Sequence, residues 1–93
     1  MIVLHEEQEQ VGFWQEGPVY HLDVRALLEE GGEPFACIMD CVQQIGAGDT
    51  LVVHALFEPK PLVTHVGRMG LEARCERLEA EHWTVTISLP PAP

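Results

Sequence analysis

Apolar and polar residues alternate from Val19 to Val24, with Tyr20, Leu22 and Val24 on one face and His21 and Asp23 on the other. A period of two predicts a half-buried strand. Gly31-Gly32 breaks the pattern, and Pro34 stands where a first helical turn tolerates a missing N–H. Phe35, Ile38, Met39, Val42 and Ile45 then recur at helical spacing and define an apolar face centred near Val42. Gly46-Ala47-Gly48-Asp49 ends that helix and turns the chain. Thr50–Leu56 is β-rich with apolar residues on both faces, which predicts a central strand.

The second half repeats the theme. Glu58-Pro59-Lys60-Pro61 opens a second helix, and Leu62, Val63, Val66 and Met69 form its buried stripe. Gly67 weakens that helix modestly and Gly70 closes it. Ala73–Leu78 reads as a charged edge strand, with Ala73 and Cys75 facing inward. Glu79-Ala80-Glu81 turns the chain into the clearest strand of all, where Trp83, Val85, Ile87 and Leu89 point in and Thr84, Thr86 and Ser88 point out. The predicted order is β-α-β-α-β-β. Right-handed crossovers place both helices on one face of a mixed four-stranded sheet, an α/β (α+β) two-layer sandwich.

This unit occupies residues 19–89. Pro90-Pro91-Ala92-Pro93 forms a tail that cannot extend a ladder. Residues 1–18 form an extension in which Ile2-Val3-Leu4 and Phe13-Trp14 flank a Glu/Gln-rich stretch. That extension is either a helix over the core or an extra strand. It, or the open sheet face of a two-layer sandwich, offers a homodimer contact.

Charge narrows the partners. The chain carries Lys60 and four arginines against fifteen acidic residues, a net charge of −10. Nucleic acid needs clustered cations to neutralise phosphates, so it is excluded as a partner, whereas a basic protein surface fits. The chain has no eighteen-residue apolar run to span a membrane. Its first residues have neither a basic start nor a long apolar core, so they do not read as a secretory signal. Three cysteines without a C-x-x-C pair read as reduced thiols of a cytoplasmic protein.

Three segments carry a family resemblance. Leu22-Asp23-Val24-Arg25 followed by Glu33-Pro34-Phe35 resembles the strand-to-helix opening of the TusA/SirA-like sulfur-carrier superfamily, which reads Leu-Asp-x-Arg and then Cys-Pro-x-Pro. The Gly48-Asp49 turn before the second strand also resembles that superfamily, and Phe57-Glu58-Pro59-Lys60-Pro61-Leu62 is similar to its cysteine-poor, domain-of-unknown-function branch. The loop here is longer, and Gly31-Gly32 stand where the reactive Cys-Pro would be. Ala55-Leu56-Phe57 replaces the Asn-Asp-His found before the second motif in many members. The resemblance implies the same two-layer fold. It also implies a partner or regulatory role, because that branch occurs beside hemerythrin-like and nitrogen-oxide-related proteins.

The candidate sites follow from this frame. Parallel first and second strands bring both helix starts to one sheet edge, where unpaired N–H groups and the helix dipoles favour anions. Arg25 and Lys60 would add positive charge there, while Glu33 and Glu58 would cap the helices and pair with those cations. The favoured function is a non-catalytic interaction or sensory module, without a cofactor, that binds a partner protein or small anion through Arg25, Glu33, Glu58 and Lys60. An alternative is a persulfide carrier. On helical spacing Cys37 points away from the core and Cys41 lies on the flank, so Cys37 in the first turn would be the exposed thiol. A third reading is a metal-binding accessory domain using His21 and His54, which adjacent strands would set side by side. His5, His65 and His82 show no pairing in the sequence.

Overall fold

In the computed structural model, residues 11–46 and 48–89 are described. The strongest alternation produces the spine of the molecule. Strand β2, Val19–Asp23, pairs in parallel with β3, Thr50–Ala55, in the register Leu22 to Val53 and His21 to Val52. The last strand, β5 (His82–Ser88), runs antiparallel to β3, and β4 (Glu72–Glu79) closes that side as the edge. The sheet is mixed, as the pattern predicts.

Among the described residues it has five strands rather than four. Residues 12–16 of the extension form β1, antiparallel to β2, so the sheet order is β1-β2-β3-β5-β4. The hairpin turns at Gly17-Pro18, with Gly17 at a φ of 63°, a conformation that suits glycine. Of the two forms open to the extension, its described part takes the strand. Ile2-Val3-Leu4, His5 and the Pro90–Pro93 tail lie outside the described residues.

Among the described residues there are also three helices where two were expected. The longer pair are α2, Phe35–Gln44, and α3, Lys60–Arg68. The extra one is α1, Arg25–Glu29, a single turn inside the strand-to-helix loop. Five residues are too few for periodicity to reveal a helix, although Arg, Ala, Leu and Glu all favour one. Its end is a complete Schellman arrangement. Gly31 N–H donates to the Leu28 carbonyl, Gly32 N–H donates to the Leu27 carbonyl, and Gly31 sits at φ 77°. The end of α3 repeats the motif with Gly70 and Leu71 on the carbonyls of Gly67 and Val66.

The core lies between the sheet and the long helices. Leu22, Leu51, Val53, Val85 and Ile87 from the strands meet Ile38, Val42, Leu62 and Val66 from α2 and α3, all buried. Burying a side chain of this size contributes about 1.5–3 kcal/mol. The strand residues among these share one face of the pleat, the face that α2 and α3 cover.

One expected face is corrected. Helix α2 buries Cys37, Ile38, Cys41, Val42 and Ile45, while Phe35 and Met39 are only partly covered. Residues 37, 38, 41, 42 and 45 are as good a helical stripe as 35, 38, 39, 42 and 45. Compact thiols pack readily against a sheet, which turns the larger Phe35 and Met39 to the flank.

Candidate functional site

Both long helices start beyond the C-terminal ends of β2 and β3, on the same edge of the sheet. The convergence is that of open α/β sheets. The chemistry differs from the anion pocket expected there. The two helix starts enclose a cleft of about 700 Å³ whose walls include Val24, Leu28, Pro34, Phe35, Phe57 and Pro61. Phe57 is 54% exposed, and Ile38 and Leu62 form part of the floor.

The four charged residues expected at this edge separate. Glu33 alone of them lines the cleft, and its carboxylate accepts the Phe35 N–H at 2.9 Å. Glu58 and Lys60 stand apart as an exposed pair with 3.9 Å between oxygen and nitrogen. Arg25 binds Asp23. Its Nε and Nη2 reach the two carboxylate oxygens at 3.0 and 2.8 Å, and its backbone N–H donates to the same group at 3.0 Å. Asp23 thus starts α1 and clamps the guanidinium, which leaves Arg25 on the other side of the sheet from Glu33. The hydrogen bonds from Arg25 hold the Asp23 carboxyl below its usual pKa. The expected pairing of Arg25 with Glu33 is therefore replaced by a pair two residues apart, which local geometry completes without the loop.

Cysteine placement also departs from expectation. Cys37 is 1% exposed, so it is a core residue and not a surface thiol. Cys41, one turn on, is fully buried, and burial beside the Cys37 sulfur keeps the proton on its thiol. Cys75 faces inward as predicted but remains half-buried, and burial raises its pKa. Gly31 and Gly32 both suit the turn between α1 and α2. Gly31 has positive φ, and a Cβ on Gly32 would collide with the Leu27 side chain.

On the opposite face of β2 and β3 the histidines assemble. His21 Nδ1 lies 3.1 Å from His54 Nε2, which sets the two side by side as their strands predict. His82 joins them, with its Nε2 2.8 Å from His54 Nδ1, so the sequence reading that left it unpaired is corrected. The signal was its position two residues before Thr84, on the outward phase of β5 and one step beyond the cross-strand partner of His54. Glu16 Oε1 completes the line, 2.9 Å from His21 Nε2. Trp14 lies flat over the first junction, with its ring 4.9 Å from that of His21 and 5.4 Å from that of His54. His65 is elsewhere, edge-on to Phe35 at 4.8 Å.

Ring geometry distinguishes a hydrogen-bonded line from a chelate. The centroids of His21 and His54 are 5.3 Å apart, and those of His54 and His82 are 5.1 Å apart. Such separations with contacts of 3.1 and 2.8 Å put centroid, nitrogen, nitrogen and centroid nearly in line. A shared ion would instead fold the rings toward a common point. His54 also uses a different nitrogen for each neighbour. No group of three or more His, Cys, Asp or Glu among the described residues converges on a metal position.

The His82 end of the line opens on a second, polar cavity of about 530 Å³, bordered by Asp23, Arg25, Glu29, Glu79 and Glu81. Burial lowers the pKa of His54, the central ring, and keeps it neutral. No helix of the described residues is long and apolar enough to cross a membrane.

Residues 21–88 match the model of a family described as an uncharacterized conserved protein, DUF2249. The match covers well over half of the chain, and the protein belongs to that family. No curated protein and no solved structure matches it significantly.

Proposed function

We propose that this DUF2249 protein is a non-catalytic binding module of TusA-like ancestry whose helix-start cleft receives an apolar, basic-flanked segment of a partner protein. The observation that carries the reading is the cleft itself. Two helix starts frame an apolar volume within the size range of ligand pockets, and Phe57 is half-exposed beside it. An exposed aromatic in a concave apolar site supports an interaction role better than a structural one.

Charge selects the occupant. Glu33 on the rim and a net charge of −10 favour a segment with Lys or Arg beside its apolar anchors and disfavour a small anion. The carrier reading loses support, because a carrier thiol has to meet its donor enzyme and Cys37 is sealed in the core.

The test is selection from a random peptide library displayed on phage, with counter-selection on Phe57→Asp. Enriched peptides are expected to combine at least two large apolar residues with flanking Lys or Arg, and to bind the wild-type chain about tenfold or more tighter than Phe57→Asp, a loss of about 1.4 kcal/mol. No enrichment, or equal binding to the variant, removes the cleft as the binding site.

A further inference from the structure

The open face of the sheet carries an array that the cleft does not use. Glu16, His21, His54 and His82 run across β1, β2, β3 and β5 with contacts of 2.9, 3.1 and 2.8 Å. Chemistry fixes the protons in this line when all three rings are neutral. A carboxylate only accepts, so His21 carries its proton on Nε2 and presents Nδ1 as an acceptor. His54 must then donate from Nε2 and accept at Nδ1. His82 donates from Nε2 in turn, and its Nδ1 lone pair is left for the polar cavity.

We propose that these four residues form a single-proton relay between that cavity and Glu16. A solvent hydronium forms an N–H bond at His82 Nδ1. His82 then gives its Nε2 proton to His54 Nδ1, and His54 gives its Nε2 proton to His21 Nδ1. Two N–H bonds break and three form, the hydronium leaves as water, and the added charge rests on His21 beside the Glu16 carboxylate. Every nitrogen–nitrogen contact still holds one proton, now donated in the reverse sense. No heavy atom has to move.

The array holds one proton and no more. A second would set N–H against N–H at one junction, which would part the rings. The surroundings fit transit through the centre and storage at the Glu16 end. Burial disfavours charge on His54, and the Asp23 carboxylate, itself paired with Arg25, offsets only part of that cost. Glu29, Glu79 and Glu81 border the cavity at His82 and draw protons to the entrance. From β4, Glu76 and Arg74 stand opposite Thr84 and Thr86, which separate them from the line by one strand. Trp14 covers the junction of His21 and His54.

Long-range proton–nitrogen NMR of the imidazoles, on the full chain between pH 8 and pH 5, tests the relay. All three rings are expected in the Nε2–H form at pH 8. On acidification His54 and His82 should pass together to the Nδ1–H form, at the same midpoint at which His21 becomes charged. Glu16→Gln, an exposed change, should lower that common midpoint by about one pH unit with the backbone spectrum otherwise unchanged. His82→Phe should leave His54 in its Nε2–H form throughout. Separate midpoints for the three rings, or a His54 tautomer that never changes in the wild-type chain, would overturn the proposal.

Discussion

The helix-start cleft and the histidine line share strands β2 and β3 and have opposite chemistry. Leu22 and Val53 are buried under the helices, while His21, Asp23 and His54, each one residue away, face the uncovered side. The pleat performs this separation, since successive side chains leave a strand on opposite faces. Val24 and Arg25 extend it past the strand end, with Val24 in the apolar cleft and Arg25 in the polar cavity. The cleft is a gap left by packing, fixed by prolines and large apolar side chains. The line is held by directional contacts between titratable groups. One region should therefore respond to side-chain size and the other to pH.

The largest effect that separates them is expected from Ile38→Ala. Ile38 is buried and forms part of the cleft floor, so the cost should be about 2–5 kcal/mol in urea unfolding, with little change in how stability depends on pH. A loss below about 1 kcal/mol would mean that the cleft is not anchored in the core.

Acid should act on the other region. The folded pKa of His54 is lowered from 6.5, so near and below that value the unfolded chain binds more protons than the folded one. Its contribution to stability is therefore complete above about pH 6.5 and declines as pH falls towards the lower folded value. Asp23 adds a second loss at lower pH, since its depressed pKa contributes stability that disappears as pH falls from 3.8 through the folded value. Chemical denaturation at pH 7, 6 and 5 should show the first decline, and His54→Gln should flatten it. An unchanged slope in that variant would assign the acid sensitivity elsewhere.

Trp14→Ala should cost less, about 0.5–1.5 kcal/mol from lost ring stacking, because the indole is 41% exposed. Its diagnostic consequence is faster amide exchange along β1, with α2 and α3 unaffected. Phe57→Asp should be smaller still, within about 0.5 kcal/mol in stability, while abolishing peptide binding at the cleft. The smallest effect is expected at Cys37. Incubation with a cysteine desulfurase and cysteine should leave the intact mass unchanged. A one-sulfur adduct lost in Cys37→Ser would restore the carrier reading.

The periodicities placed both helix starts at one edge correctly, because parallel strands and right-handed crossovers leave little choice. The charges at that edge were not legible in the same way. Arg25 has carboxylates on several sides, and Asp23 wins by being two residues away, with a backbone N–H and the guanidinium available together. Cys37 was misplaced because two overlapping helical stripes share Ile38, Val42 and Ile45, and residue size in the packed core chose between them.

The sequence by itself determined the strand pleat, the long helices, the turn at Gly48-Asp49 and the acidic surface, all of which rest on local conformational preference and residue type. Tertiary structure decided what meets what. His82 lies 28 residues from His54, and Glu16 reaches His21 only because the extension folds back as β1. Strand register, parallel between β2 and β3 and antiparallel on either side of that pair, brought four unremarkable polar residues into one line. Packing of α2 and α3 in turn made an apolar cleft where the charges alone had suggested an anion site.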